Sequence, residues 1–518
     1  MKNQYKIITS IFLLAVLFSC SKDLLDKTPL DRLSPSTFYQ NETQCKMALM
    51  GVYNAIQPNA TPTHFYQFEF MSDNGYCQAA WQGSNEIGSW STNSNSWGPG
   101  AKWTMDFAIV TRANQFIQDI GTASVSDDVK KPMVAEAKFL RAYAYSDLIT
   151  YFGDVPLITK VLPLADAYVK RTAKSEVLTQ ILTDFTEAAS VLPVSYSGSN
   201  VGRATKGAAL AYKAKILLHN QKWAEAAQAA KDVIDLKVYN FYPNYADLFT
   251  EAHENNSEVI FDIQYTTSQT QPWPAEPFVL GTWQTSNITA SMINDYYMTN
   301  GKPITDAASG YKDQDPYTNR DPRLAATVVL PGSKFGSDTF IPASYAEYPC
   351  GAKPRKYAEY GVADVNTSTL NTILMRYADI CLMRAEALVE SGNTSQEVYD
   401  LVNLVRARVN MPNVELAEGT GLSKEQLRQV IRHERRVEFC MEGTRYADML
   451  RWQDVSLVHD VYGYDKSKLS DPTNPAKWVF SQIKIATTTF DAKKGWLWPI
   501  PQSDININKN LLPNNPGY

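Results

Sequence analysis

Along most of the chain apolar residues recur every three or four positions, and the stretches with this period predict helices that come in neighbouring pairs. The first runs over 37–56, with Ser36 and Thr37 as N-cap candidates and a stop before Pro58. A second begins at Trp103 and reaches 117, and a third covers 130–151 with Pro132 in its first turn. Helices over 173–192, 202–220 and 222–236 follow, and 374–391 and 395–409 form a late pair joined by Gly392-Asn393-Thr394. Residues 241–371 have another texture. Pro, Gly, Ser and Asn interrupt the period there, leaving β-rich runs at 258–263 and 326–330 and a brief helix at 290–297.

The stretch 202–236 is alanine-rich with a short break at Asn220-Gln221, and it resembles a tetratricopeptide-type hairpin, in which small residues let two helices approach closely. The expected fold is mainly α. A tetratricopeptide-like framework occupies about 37–240 and 372–456, a long irregular insertion with short strands about 241–371, and a C-terminal segment 457–518, all in one domain. Recognition is expected on the insertion, since loops on a rigid scaffold carry it.

The start of the chain follows a different rule. Lys2 and Lys6 flank the beginning of an apolar run whose core of roughly twelve residues is well short of the ~20 of a spanning helix, so 1–19 reads as a cleaved export signal. Residues 21–36 are polar and read as a tether. Leu17-Phe18-Ser19-Cys20 resembles a bacterial lipobox, which implies that Cys20 is lipidated and that its acyl chains hold the protein on a bilayer.

Composition narrows the chemistry. A net charge of −5, with both signs mixed and no long basic run, argues against nucleic acid. Cys45, Cys77, Cys350, Cys381 and Cys440 are scattered without a CxxC spacing, so neither zinc nor a redox pair is indicated, and Cys381 and Cys440 fall in apolar helical patterns as core residues. No GxSxG elbow, phosphate loop or HExxH is present: His253-Glu254 and His433-Glu434 are followed by Ser257 and Val437 where the second histidine would stand. The chain is read as a binding protein rather than an enzyme. A glycoside hydrolase, which needs only two carboxylates, and a pure interaction scaffold are the competing classes. Asp313 to Asp321 is acidic enough to suggest calcium but reads as a solvated loop, and no cofactor is expected.

The aromatic residues carry the binding chemistry. Tyr76, Trp81, Trp90, Trp97 and Trp103 crowd into a segment of Ser, Asn, Gln and Gly, and an indole face can cover the apolar C–H face of a sugar while amides bond its hydroxyls. Trp103 opens an apolar helix and is assigned to the core. For Trp81, Trp90 and Trp97, stacking on a ligand and anchoring of an irregular loop both stay open. A second cluster, Trp273, Phe278 and Trp283, is stiffened by Pro272, Pro274 and Pro277. Trp452, Trp478, Trp496 and Trp498 are assigned to the core.

The run from Arg432 to Trp452, with Glu434, Arg435, Glu438, Glu442-Gly443, Arg445, Asp448 and Arg451-Trp452, resembles the signature of the SusD/RagB family of surface nutrient-binding lipoproteins. Leu140-Arg141-Ala142-Tyr143, Asp321-Pro322-Arg323-Leu324, Arg376-Tyr377-Ala378-Asp379, Leu497-Trp498-Pro499 and Asn515-Pro516-Gly517-Tyr518 extend the resemblance over essentially the whole chain. It implies a lipid-anchored, outward-facing outer-membrane protein that holds oligosaccharides against a SusC-like TonB-dependent transporter, with peptide capture as in RagB-type members the alternative. It also implies that Asp73 and Asn74 face the ligand. The signature itself is read as structural. Arg428, Arg432 and Arg436, like Glu434, Glu438 and Glu442, stack at i, i+4, and such rows persist when opposite charges on other helices neutralise them.

Overall fold

The computed structural model describes residues 38–58, 63–268, 270, 285–336, 338–344, 348–358, 367–471 and 477–518. Cys20, the export signal, the tether, Trp273, Phe278 and Trp283 lie outside the described residues.

The protein is mainly α. Helix α1 spans Glu42–Tyr53, α2 Trp97–Gly121, α3 Asp127–Tyr151, α4 Lys174–Val191, α5 Lys206–His219 and α6 Trp223–Asp235. After the insertion come α7 Tyr377–Glu390, α8 Gln396–Arg408, α9 Lys424–Phe439 and α10 Arg445–Trp452. Each of α2 to α5 packs on the helix that follows it, α6 packs on α7, and α7 packs on α8 and α9. Buried alanines at 208, 209, 211 and 214 on α5 and at 226, 227, 229 and 230 on α6 allow the close hairpin that the composition predicts. Since α6 and α7 are neighbours, the insertion leaves the framework and returns to it at one place. Strand β1, Val259–Ile263, pairs antiparallel with β2, Thr372–Arg376, across that junction.

Five boundaries differ from the sequence reading, each for a physical reason. The first helix is capped by Asn41, whose side chain accepts from the Gln44 N–H, so it starts later than Ser36 and Thr37 suggest. Helix α2 starts six residues before Trp103, because Pro99 needs no N–H partner within a first turn. Helix α3 starts at Asp127, where two aspartates suit the positive end of the helix dipole, which leaves Pro132 in the second turn. Residues 374–376 are strand rather than helix: Thr372 and Ile373 are β-branched, and the turn into α7 is fixed by the Tyr377 N–H donating to the Glu258 carbonyl at 2.9 Å. In the run 326–330 only Val328–Val329 is strand, because Asp321 caps a short helix, Pro322–Thr327, just before it.

The framework helices share one large apolar core, and a second core lies beneath the insertion, including Tyr245, Tyr296, Cys440 and Trp478. All five described cysteines are buried free thiols. Among the described residues no helix is long and apolar enough to cross a membrane.

Candidate functional site

The signature helices form a charged interior. Glu438 accepts from Arg376 at 2.7 Å, from Arg323 at 2.9 Å and from Arg408; Glu434 takes Arg323 at 2.6 Å and Arg406 at 2.8 Å; Glu442 takes Arg376 at 2.7 Å and Lys356 at 2.9 Å. Arg435 reaches Asp379 on α7 at 2.6 Å and Asp448 on α10 at 2.9 Å. The like-charged rows are therefore neutralised mainly by other elements, as their spacing predicts, although Glu442 lies in the turn beyond the end of α9 rather than on the helix. Asp321 is turned inward onto Arg323 at 2.7 Å, so it does not join Asp313 and Asp315 around a cation. Among the described residues no group of three His, Cys, Asp or Glu side chains could hold a metal ion.

This interior is the floor on which the 63–96 segment is built. Phe65–Met71 forms a buried 3-10 helix that carries Glu69. One Glu69 oxygen accepts from the Asn74 amide at 2.6 Å and the other from the Gly443 N–H at 3.1 Å, while the Asn74 carbonyl oxygen accepts from Arg436 at 2.8 Å. Asp73 receives Arg445 on both oxygens, at 2.8 and 2.9 Å, and Arg436 at 3.1 Å. Burial opposes ionisation of Asp73, but Arg436 and Arg445 outweigh it and hold its carboxyl below the ordinary carboxylate range. Asp73 and Asn74 are buried and engaged with the signature helices through Arg436 and Arg445. They clamp the segment in place.

From that clamp the chain rises to the aromatic residues. Gly75–Cys77 pairs antiparallel with Ser286–Ile288, placing half-buried Tyr76 opposite Asn287. Trp81 sits in the short turn Ala80–Gln82 with 49% of its surface exposed, and the turn ends at Gly83 with φ +78°. Beneath it a buried polar cluster fixes the turn: Gln82 donates to Thr285 at 2.5 Å, and its carbonyl oxygen accepts from Gln67 at 3.2 Å. Ser84 donates to Gln67 at 2.9 Å. Thr285 directly follows residues 271–284, so the segment carrying the second aromatic cluster rejoins the described structure beside Trp81. Neither Gln82 nor Thr285 stood out in the sequence, because isolated amides and hydroxyls in a polar stretch have no periodic signal.

The two remaining tryptophans of the segment part company. Trp97 is the first residue of α2 and is 47% exposed; its neighbour Gly98 lies so close to the Trp81 turn that a Cβ there would sit 3.2 Å from the Gly83 carbonyl oxygen. Trp90, at φ +60°, is instead packed edge-on against Trp496 at 5.1 Å and Phe490 at 5.4 Å, and it leans on the core. Trp103 is in the core, its indole N–H donating to Asp504 at 3.2 Å. Trp478 and Trp498 are buried, and Trp452 lies against Arg432, Arg445 and Arg451. The geometry thus leaves two half-exposed indoles on abutting turns, above a floor of buried ion pairs. Such a surface can stack on flat apolar faces.

Comparison with known proteins places this arrangement. The chain is 26% identical over 540 residues to SusD-like protein P2 of Formosa agariphila and 23% identical over 598 residues to the starch-binding protein SusD of Bacteroides thetaiotaomicron, in both cases over 100% of each chain. Among solved structures, a SusD-like carbohydrate binding protein from Bacteroides fragilis superposes with a TM-score of 0.80 at 29% identity, covering 92% of this chain and 100% of that one. A second SusD-like protein from that organism gives 0.79 at 26% identity, covering 95% of this chain and 100% of that one. A family model described as "Starch-binding associating with outer membrane" matches residues 23–218. The model of the SusD family matches residues 248–518, more than half of the sequence, and the chain belongs to that family.

Proposed function

We propose that the protein is a lipid-anchored, non-catalytic glycan-binding protein of the outer membrane, facing outward, that captures oligosaccharides and hands them to a TonB-dependent transporter. The observation that carries this reading is the pair of half-exposed indoles, Trp81 and Trp97, on abutting turns whose supports are buried and hydrogen-bonded. A platform fixed before the ligand arrives loses little entropy on binding. The names of its relatives, a starch-binding protein and a SusD-like carbohydrate binding protein, point to the same ligand class. Tyr76 and the aromatic residues Trp273, Phe278 and Trp283 complete the proposed platform, and the lipobox supplies the anchor.

Trp81→Ala and Trp97→Ala are each expected to weaken glycan binding by about 2 kcal/mol, roughly thirtyfold, the scale of a central aromatic contact, with an unchanged unfolding midpoint. Calorimetry against a panel of neutral polysaccharides reads the effect. Binding of mixed peptides with no glycan bound would overturn the reading. Trp90→Ala is expected to do the reverse: it removes packing against Trp496 and Phe490 and lowers stability more than it alters intrinsic affinity. Separately, Cys20→Ala is expected to shift the mature protein from the membrane to the soluble fraction of fractionated cells. Retention of that variant in the membrane would reject lipidation as the anchor.

A further inference from the structure

A cleft of about 910 Å³ opens where the C-terminal end of α3, the start of α4, the α5–α6 turn and the 492–497 stretch converge. Its size falls in the range of small-ligand sites. Tyr76, Trp81 and Trp97 take no part in its walls. Five cations line it: Arg171, Lys174, Lys222, Lys493 and Lys494. Among the described residues none of the five forms an ion pair. A sixth, Arg451, is already engaged by Glu386 and Asp448. The lone carboxylate in the lining is Asp154, which spends one oxygen on the backbone N–H of Lys174 at 2.8 Å.

Two of the cations, Arg171 and Lys494, are held by neutral groups. Arg171 donates to the carbonyls of Asp154 and Pro513 at 2.9 and 2.6 Å and to the Asn515 side chain at 2.5 Å, so its guanidinium is oriented without being neutralised. Lys494 donates to the Thr92 carbonyl at 2.7 Å and lies over the ring of Tyr518. Burial pulls the affinity of Arg171 and Lys174 for their protons below the ordinary value, with Asp154 opposing it. Buried Arg323, Arg376 and Arg435 are matched by carboxylates; here five half-buried or exposed cations share a concave site with a single carboxylate, Asp154. Half-buried Trp496 contributes an aromatic wall to the same cleft. Cations beside an indole suit a pyranose that carries an oxyanion.

We infer that this cleft is a second saccharide subsite, one that takes an anionic sugar bearing a carboxylate or a sulfate ester. The inference rests on the glycan-binding reading above and sharpens it, making the protein a receptor for acidic glycan. Carboxylate and sulfate share the chemistry that the cleft recognises, and the experiment separates them.

Calorimetry of the soluble protein would use oligogalacturonate for carboxylate, oligosaccharides of ι-carrageenan for sulfate, and neutral malto- and laminari-oligosaccharides as the comparison, at low and at physiological ionic strength. The expected result is that at least one anionic ligand binds and weakens as salt is added. Lys222→Glu/Lys493→Glu, at two exposed positions, is expected to reduce that affinity by about tenfold or more while leaving neutral-glycan binding and the unfolding midpoint unchanged. Failure of both anionic ligands to bind would overturn the inference. So would anion binding that survives the charge reversal but is lost in Trp81→Ala, or attachment of the protein only to lipopolysaccharide vesicles and to no free oligosaccharide. Loss of neutral binding in Trp81→Ala tests the platform independently, so the two readings fail separately.

Discussion

Glu438→Ala is expected to lower folding stability by about 3 to 5 kcal/mol, the scale on which removal of one partner from a buried ion pair strands the other. The side chain is fully buried on α9 and accepts from three guanidiniums contributed by distant parts of the chain. Arg323 enters from the insertion, Arg376 from the strand that closes the insertion's base, and Arg408 from the end of α8. Without Glu438, Arg323 keeps Asp321 and Glu434, and Arg376 keeps Glu258 and Glu442, but each loses charge compensation in a buried region. Glu438→Gln keeps the shape and an acceptor and should lose less. Burial raises the Glu438 carboxyl, yet Arg408, Arg376 and Arg323 bring it well below its ordinary value of 4.5. Its contribution is therefore complete above that ordinary value and is lost as pH falls toward the depressed one. Urea unfolding of the variants is the check. A midpoint that moves with an unchanged slope reports stability alone, and a loss under about 1 kcal/mol would mean that the network relaxes around the gap.

Why this network could be read in the sequence, while other features could not, follows from where each signal resides. Three arginines at i, i+4 on α9, with Glu434 and Glu438 at the same spacing, are locally unfavourable, so their presence alone demands partners. The alanine hairpin of α5 and α6 is likewise a local pattern. Residues 374–376 read as helix in the sequence because a short apolar run has no distinguishing period, and only pairing with 259–263 decides for strand. Asp73 and Asn74 illustrate the limit for sites. A carboxylate and an amide at the head of a polar loop suit a ligand or a clamp equally well, and the choice was made by Arg436 and Arg445, more than 350 positions away. The basic cleft was invisible for the same reason. Arg171, Lys222 and Lys493 come from three separate segments, and each is unremarkable among mixed charges until folding brings them together.

Gly443→Ala is expected to release the 63–96 segment while leaving the helical framework folded. Gly443 has φ +68°, a conformation that costs a residue with a side chain about 1 to 2 kcal/mol. A Cβ there would also lie 2.1 Å from the carbonyl oxygen of Phe65 and 3.4 Å from the Cβ of Phe68. The first contact is with backbone, so no rotamer change relieves it and either the 65–71 helix or the signature turn must move. Overpacking of this kind adds a further ~1 to 3 kcal/mol. Motion at this point breaks the Gly443 N–H bond to Glu69 and, through Glu69, the hold on Asn74 and the Trp81 turn beyond it. Helices α3 to α8 share a core to which the segment adds Phe68, Met71 and Ile87 but which the helices themselves mostly build. Hydrogen exchange should therefore quicken across 65–90 with little change in α5 and α6, and glycan affinity should fall although Trp81 and Trp97 are both intact. Equal acceleration throughout the chain would show that the segment and the framework unfold as one unit. Unchanged exchange with wild-type binding would show that the signature glycine is not what holds the platform down.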